Sequence, residues 1–308
     1  MNDREHAVDG GPGSNPQGRP LVVGEVLFDV MPDGRRILGG APFNVAWHLQ
    51  AFGLRPLLIT RVGADDAGDE VLAAMDSWGM DTAGVQRDDA HPTGRVQVEL
   101  EEGQPTFHIL PDQAYDFLDR GLAMETIGNQ NLSLIYHGSL ISRAELSANV
   151  VDECVRRLDV PVFIDVNLRD PWWSRERVTA AVERARWAKL NEDELELLAG
   201  ASDVATVTAF REKLDLAAVI VTRGSRGAAV ADGGGAVEAF PQGEIQVVDT
   251  VGAGDAFSAV FLLGLVKGWQ TRAALERALE FAAAVCTQPG ATSADRFLYS
   301  GFQERGWR

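Results

Sequence analysis

The residues with the clearest capacity for chemistry lie in Val247–Phe257, whose sequence is VVDTVGAGDAF. Gly252 and Gly254 let the backbone bend so that successive N–H groups, including that of Ala253, point outward at the start of an apolar helix. Such a turn, with the positive end of the helix dipole behind it, is an anion site. Asp255 could then accept a hydroxyl proton while the oxygen attacks phosphorus. The alternative is a simple helix entry with Asp255 as a first-turn acid.

Strands and helices alternate around this stretch and must position it. Apolar runs are followed by segments with helical periodicity, which is typical of a parallel sheet covered by helices on both faces. We therefore predict a doubly wound, mostly parallel α/β fold. The predicted strands are residues 21–30, 56–62, 132–138, 161–167, 187–191 and 217–224, and the predicted helices are residues 41–53, 65–79, 143–159, 175–186 and 192–200, followed by a hairpin at 227–240 and two long helices in the last 60 residues.

Two segments, residues 30–38 and 93–110, break this alternation and read as antiparallel β pieces, the second as a hairpin around Glu102-Gly103. Strands that are polar on one face do not belong in a buried sheet, so we predict a small β lid formed by about 30–38 and 93–112. Residues 1–20 are rich in Gly, Pro, Asn and Asp and are predicted to be a flexible tail rather than a signal peptide. Residues 21–308 are predicted to form one domain with its lid.

Composition argues against several classes of function. A formal net charge of −17 would repel nucleic acid and anionic membranes, so neither is an expected partner. No apolar run approaches the about 18–20 residues that span a bilayer. The two cysteines, Cys154 and Cys286, lie in apolar helical stretches and read as buried small hydrophobes, which fits a reducing cytosol.

The pattern D-T-x-G-A-G-D-A-F at 249–257 resembles the C-terminal signature of the ribokinase-like, PfkB-type carbohydrate kinases. The resemblance extends from Leu21 to about Thr292. It implies ATP as the phosphoryl donor, a sugar as the acceptor and Asp255 as the catalytic base. The backbone of Gly252, Ala253 and Gly254 would hold the transferring phosphate.

The N-terminal glycine pair, Gly39-Gly40, is followed by Asn44 and resembles the first signature of the same family. Asp29 closes the run GEVLFD in the way that an aspartate closes the opening strand in the family. The resemblance implies that Asp29, Gly39, Gly40 and Asn44 hold sugar hydroxyls. Taken alone, the glycine pair would indicate only a turn.

Two further motifs resemble the nucleotide side of the family. Asn191 and Glu194 match its N-x-x-E motif, which implies that they organise Mg²⁺ and its water shell near the phosphates; the alternative is an acidic first turn that complements the helix dipole. Residues 222–227 resemble its T-x-G-x-x-G motif, although a solvated side chain is the alternative for Arg226. The implied ATP contacts are Asn191, Thr222, Gly224, Arg226, Gly227, Gly252 and Gly254.

The run Asp165–Arg169 resembles the D-x-N-x-R segment of the fructokinase and 2-keto-3-deoxygluconate kinase branches. The resemblance implies that Arg169 binds a phosphate or a substrate oxygen and that Asn167 orients it, although those branches usually have Pro where this chain has Val166. His137 begins an H-G-S segment that resembles the fructokinase-like lining of the sugar pocket, with a packed strand end as its alternative. A Walker P-loop, G-x-x-x-x-G-K-[ST], does not occur in the sequence.

The predicted lid would exclude water, so that ATP is not hydrolysed in place of sugar phosphorylation. Gln97 and Tyr115 are its candidate sugar contacts, and packing within the lid or a dimer is their alternative. The resemblance further implies a monovalent cation, usually K⁺. Its carbonyl ligands would lie near Asp249, Val251, Cys286 and Gly290.

One geometric expectation does not depend on the resemblance: several candidate residues fall at the carboxyl ends of predicted strands. In open α/β sheets that edge is where ligands bind, so the motifs should converge there. The residues concerned are Asp29, His137, Asp165–Arg169, Asn191 and Thr222.

These features together predict a cytoplasmic, ATP-dependent sugar kinase, and the resemblance favours fructose. The runner-up substrate is a sugar acid such as 2-keto-3-deoxygluconate, in which case Arg169 would bind the carboxylate of the sugar acid. A nucleoside kinase, a phosphofructokinase and a catalytically inactive sugar sensor remain as alternatives. The oligomeric state stays open, although lids of this kind often pair between the subunits of a homodimer.

Overall fold

The computed structural model describes residues 17–101, 104–128, 130–243 and 245–307. Most of the predicted tail, residues 1–16, lies outside them, and the first strand begins at Arg19, slightly before the predicted Leu21. Within the described ranges, every helix is too short or too polar to cross a bilayer.

The described elements alternate between strands and helices over most of the chain. The strands are β1 (Arg19–Val23), β2 (Leu27–Val30), β3 (Arg36–Gly39), β4 (Leu57–Gly63), β5 (Val85–Asp88), β6 (Gly94–Glu101), β7 (Gln104–Ile109), β8 (Leu132–Gly138), β9 (Val162–Asp165), β10 (Trp187–Asn191), β11 (Ala218–Thr222), β12 (Ala228–Asp232) and β13 (Gly235–Ala239). The helices are α1 (Ala41–Ala51), α2 (Asp66–Trp78), α3 (Arg120–Ile127), α4 (Glu145–Arg157), α5 (Arg175–Val182), α6 (Glu192–Ala199), α7 (Val204–Lys213), α8 (Ala253–Lys267), α9 (Thr271–Val285) and α10 (Phe297–Glu304).

The central sheet has the strand order β13-β12-β11-β10-β9-β8-β1-β4-β5. The strands from β11 to β5 in this order run parallel, and β12 and β13 form an antiparallel hairpin at its edge. The predicted mostly parallel sheet and the hairpin at 227–240 are therefore confirmed. Because β8, β9, β10 and β11 are parallel neighbours, their carboxyl ends meet at one edge.

Strand β1 shows how the sheet is shared between two hydrophobic cores. Val22 packs into the core on the side of α1, α8 and α9, whereas Leu21 and Val23 pack into the core on the side of α4 and α5. Successive strand residues point to opposite faces, so a strand that is covered on both faces must be apolar throughout. The doubly wound fold class is confirmed.

The predicted opening strand, residues 21–30, is wrong. The chain turns after Val23, and β2 enters a second sheet. At the turn, Gly24 lies so close to α1 that a Cβ would stand 2.1 Å from Pro42 Cγ. Because residues 21–28 are buried on both sides of the turn, hydrophobic periodicity could not reveal it.

Four described elements were absent from the prediction: β5, α3, α7 and α10. Helix α7 has the sequence VATVTAFREK, whose β-branched residues favour a strand, and it is nevertheless capped by Asp203. The last 60 residues contain α10 besides the two predicted long helices. All four elements are short, and short segments carry the weakest periodic signal.

The lid is a four-stranded sheet with the order β3-β2-β6-β7. Strands β6 and β7 form the predicted hairpin, whose turn at Glu102-Gly103 lies outside the described residues. The lid adjoins the main domain at Asp65, the N-cap residue of α2. The Asp65 carboxylate accepts hydrogen bonds from Gly68 N at 2.8 Å, from Thr93 N at 2.9 Å and from Thr93 Oγ1 at 2.6 Å.

We predict that Asp65→Ala lowers the free energy of unfolding by roughly 2–4 kcal/mol, because it removes a helix cap and leaves the buried Thr93 donors without an acceptor. Asp203→Ala is the matched control, since Asp203 caps α7 through Thr206 N. It should cost about 1 kcal/mol. Urea unfolding of both variants checks this, and equal losses would contradict the role of Asp65 in anchoring the lid.

Candidate active site

A hydrogen bond between two helices defines the centre of the site. Asn44 Nδ2 in α1 donates to Asp255 Oδ2 in α8 at 2.8 Å, although the two residues are 211 positions apart. The glycine pair at 39–40 immediately precedes α1, and the glycine turn at 252–254 begins α8. The two signatures identified in the sequence therefore meet at one place.

The entrance of α8 has the backbone geometry that an anion site requires. Gly252 is the N-cap residue with φ of 78°, and a Cβ on it would lie 2.3 Å from the Cβ of Ala291, so only glycine fits. The N–H of Ala253 donates to Thr250 O at 3.3 Å. The N–H groups of Gly254 and Asp255 belong to the first helical turn, where no preceding helical carbonyl is available to them.

Asp255 is buried in surroundings that disfavour its ionised form. Burial raises its pKa from the ordinary value of an aspartate to about 7, and the neighbouring Asp165 carboxylate adds to the rise. The hydrogen bond from Asn44 and the charges of Lys189 and Arg169 oppose it. A carboxylate with a pKa near neutrality can both take up and release a proton at physiological pH, as a general base must.

The sugar-side candidates surround the glycine pair. A Cβ on Gly39 would lie 3.9 Å from Asp29 Oδ2 and 4.0 Å from Asn44 Oδ1, so both oxygens face the same small space. Gly40 has φ of 105°, and a Cβ there would lie 2.7 Å from Glu25 O. One correction applies: Asp29 lies within β2 of the lid, not at the end of a central strand. Burial raises its pKa to about 6.

The candidates around β8 and β9 follow the expected sheet edge. His137 is buried within β8, where burial lowers its pKa and keeps the imidazole neutral. Asn167 has φ of 39°, and its carbonyl accepts a hydrogen bond from Ser139 Oγ at 3.1 Å. Arg169 is exposed and lies close enough to Asp29 and Asp255 to oppose the rise of their pKa values. Their roles toward a substrate stay predictions.

Glu194 binds backbone amides through both carboxylate oxygens. Oε2 accepts from Asn191 N at 2.8 Å, and Oε1 accepts from Leu168 N at 2.7 Å. Asn191 Oδ1 in turn accepts from Glu194 N at 2.8 Å, which completes a capping box at the start of α6. Glu194 thus ties the loop after β9 to the end of β10. Among the described residues, no group of three His, Cys, Asp or Glu side chains is arranged to hold a metal ion.

The T-x-G-x-x-G segment turns from β11 into β12. Thr222 is in register with Asn191 on the neighbouring strand. Gly224 has φ of 56° with open space around it, whereas a Cβ on Gly227 would lie 2.1 Å from Ala239 O, so Gly227 serves the close approach of β13. Arg226 is exposed and forms an ion pair with Glu192, which favours the solvated alternative for its side chain.

The segments expected around a monovalent cation lie together. Cys286 O accepts from Val248 N at 2.8 Å and from Asp249 N at 3.3 Å. The Asp249 carboxylate accepts from Val251 N and from Gly290 N, each at 3.0 Å. Of the two cysteines, Cys154 is buried as predicted, whereas Cys286 is only half-buried.

The two lid candidates differ in accessibility. Gln97 in β6 is partly buried and pairs with Val30 of β2. Tyr115 is fully buried, with the guanidinium of Arg143 4.9 Å above its ring, and Arg143 also forms a buried ion pair with Asp116 at 2.6 Å. Complete burial favours packing rather than direct sugar contact for Tyr115.

Sequence reasoning missed Glu25 and Lys189. Glu25 is buried in the turn between β1 and β2, its Oε2 has no hydrogen-bond partner, and its pKa is raised to about 7 by burial, with a further contribution from Asp255. Lys189 is a buried lysine within β10. The available signal was a charged residue inside an apolar run, GEVLF and WAKLN respectively, where a charge persists only with a partner or a task.

We predict that Asp255→Asn stabilises the protein at high pH. The raised pKa means that the folded state holds its proton between about pH 4 and pH 7 while the unfolded chain has lost it, so wild-type stability falls as the pH rises through this window. The variant lacks this loss and should gain roughly 2–4 kcal/mol relative to wild type between pH 4 and pH 8. Urea unfolding at both pH values measures it. Asp193→Asn, at an exposed first-turn acid, is the control, and an equal gain there would contradict the assignment.

Comparisons with known proteins identify the family of the chain. The pfkB family carbohydrate kinase model matches residues 27–296. A fructokinase from Klebsiella pneumoniae is 31% identical over 80% of this chain and 84% of its own length, and an ATP-dependent 6-phosphofructokinase from Thermoanaerobacterium thermosaccharolyticum is 28% identical over 83% and 84%. A fructokinase double mutant from Vibrio cholerae O395, solved with fructose, ADP and potassium, superimposes with a TM-score of 0.79 at 26% identity over 94% of this chain and 99% of its own. The chain belongs to the pfkB family of carbohydrate kinases.

Proposed function

We propose that this kinase transfers the γ-phosphate of ATP to a hydroxyl of fructose. The observation that carries the proposal is the hydrogen bond from Asn44 to Asp255, because it joins the sugar-side glycine pair to the glycine turn that would hold the phosphate. Curated relatives with the name fructokinase support fructose among the sugars.

The acceptor hydroxyl would lie between Asn44, Asp29 and Asp255. Asn44 Oδ1 is buried and accepts no hydrogen bond, so it suits a hydroxyl donor of a polyol. Asp255 accepts the proton of the attacking hydroxyl, and the first-turn amides of α8 stabilise charge on the transferring phosphoryl group. Positioning and charge stabilisation account for most of the rate enhancement, because phosphoryl transfer requires little covalent chemistry from the protein.

The nucleotide would lie across the ends of β10 and β11, near Thr222 and Gly224. When bound, Mg²⁺ neutralises phosphate charge. The residues present fit a hydrated ion: Glu194 already binds two amides, so it would act on Mg²⁺ through water rather than by direct coordination.

The charges around the sugar side favour a neutral sugar over a sugar acid. Burial raises the pKa values of Glu25, Asp29 and Asp255, and the charge of Arg169 opposes the rise at all three. Arg143 also opposes it at Glu25, and Lys189 also opposes it at Asp255. A sugar carboxylate would lie among three buried carboxyl groups whose raised pKa values indicate surroundings that already disfavour negative charge. The same surroundings disfavour a sugar phosphate.

We predict that, in a panel of fructose, 2-keto-3-deoxygluconate, fructose 6-phosphate and adenosine, fructose gives the highest kcat/KM for ADP release. Asp255→Asn is the matched control, since it should keep nucleotide binding and lose at least about 10²-fold in kcat with fructose. A coupled ADP-release assay measures both.

Each alternative has its own result in this experiment. Faster turnover of the sugar acid would assign Arg169 to a substrate carboxylate, and near-normal turnover of Asp255→Asn would refute the base assignment. Fructose binding without ADP release would indicate a sugar sensor instead of an enzyme.

We also propose K⁺ binding where residues 248–251 meet residues 286–290. The V. cholerae fructokinase was solved with potassium, and here the corresponding expectation is supported by the contacts of Cys286 O and the Asp249 carboxylate. Replacing NaCl by KCl at fixed ionic strength should raise kcat, because an ordered loop would hold the glycine turn that follows it. Equal rates in both salts would contradict K⁺ dependence.

A homodimer through the lid and a cytoplasmic location complete the proposal. The lid carries exposed Ile37 and Phe107, on β3 and β7, which would be covered by a second lid.

A further inference from the structure

A buried ion pair lies directly behind the glycine turn and has no part in the mechanism described above. Lys189 Nζ contacts Asp165 Oδ1 at 2.8 Å and Oδ2 at 3.0 Å, and both side chains are almost completely buried. Burial lowers the pKa of Lys189, but the Asp165 carboxylate, with smaller contributions from Glu194 and Asp255, outweighs this, so the net pKa is raised and the lysine stays charged. The pair joins the end of β9 to the middle of β10.

The pair is connected to the first turn of α8. Ser258 Oγ donates to Asp165 Oδ2 at 2.6 Å and lies 3.0 Å from Gly254 O. Tyr136 OH donates to the same carboxylate oxygen at 3.3 Å. A Cβ on Gly254 would lie 3.7 Å from Lys189 Nζ, so the ammonium group sits immediately under the glycine turn.

The two members of the ion pair shift the pKa of Asp255 in opposite directions. The groups that face it are Asn44 from α1, Glu25 from the turn after β1, Tyr136 from β8, Asp165 and Arg169 from the end of β9, and Lys189 from β10. Among these, Asp165 favours the protonated form of Asp255 and Lys189 favours the ionised form.

We propose that Lys189 and Asp165 are positioning residues that fix the first turn of α8 and set the charge of Asp255 for proton uptake. The inference rests on the proposed function, because it assumes that Asp255 is the base. A buried ion pair is expensive and often replaceable by apolar residues without loss of stability, so stability alone is weak grounds for one here. Its position beneath Gly254, its link to Gly254 O through Ser258 and its opposed influences on Asp255 give it a chemical task.

The test is the acid limb of the pH profile of kcat, measured with whichever sugar of the panel is turned over. Lys189→Gln should raise the apparent pKa of this limb by on the order of one unit, because a positive charge that favours ionised Asp255 is lost. Asp165→Asn should lower this apparent pKa by a similar amount, because a negative charge that favours protonated Asp255 is lost. In the double variant the two effects oppose each other, so the limb should return to within about half a unit of wild type.

Two controls separate tuning from structural support. Lys189→Arg keeps the charge and should keep the limb in place, and Ser258→Ala should lower kcat without moving it. If the pair served only the fold, the charge-changing variants would lose unfolding free energy and kcat while the limb stayed fixed. Shifts of the same sign in both single variants, or no shift, would overturn the inference.

The inference can fail separately from the proposed function. If wild type turns over no sugar of the panel, the pKa of Asp255 is obtained instead from unfolding free energies, with and without Asp255→Asn, in each background as a function of pH. The same opposed shifts are expected. Should one single variant fail to fold, the other still has a prediction of definite sign, and the double variant leaves no charge unpaired.

Discussion

The hydrogen bond between Asn44 and Asp255 is the interaction on which the site depends. It requires α1 and α8 to begin at the same edge of the sheet, and both helices are preceded by glycines whose positive φ values let the chain enter at that point. Without this meeting, the sugar-side residues and the anion-binding turn would be separate features. With it, the proposed base lies beside both the residues proposed to hold the sugar and the turn proposed to hold the phosphate.

Much of the site follows from parallel topology. The carboxyl ends of β8, β9, β10 and β11 are neighbours, so Asp165, Asn191 and Thr222 lie along one edge, because each of them ends an apolar strand that the sequence displays clearly. The sequence therefore predicted the fold class and the candidate edge. This prediction required no knowledge of side-chain contacts.

Other features depend on contacts that periodicity does not contain. The turn after Val23 is hidden because buried residues lie on both sides of it, and Asp29 was therefore placed in the wrong sheet. Glu25 and Lys189 were missed because a single charge in an apolar run does not reveal its partner. For Lys189 that partner is Asp165, 24 residues earlier on the adjacent strand.

The acidic character of the chain explains why the site is built from balanced local charges. With a net charge of −17, the protein offers little long-range attraction for ATP, so attraction must arise within a few ångströms of the phosphate. In the proposed mechanism, backbone amides at the start of α8 meet this need without titrating, and the positive charge of Lys189 is paired with Asp165. Burial raises the pKa of Asp255 to about 7 with a contribution from Asp165, and the hydrogen bond from Asn44 and the charges of Lys189 and Arg169 limit the rise.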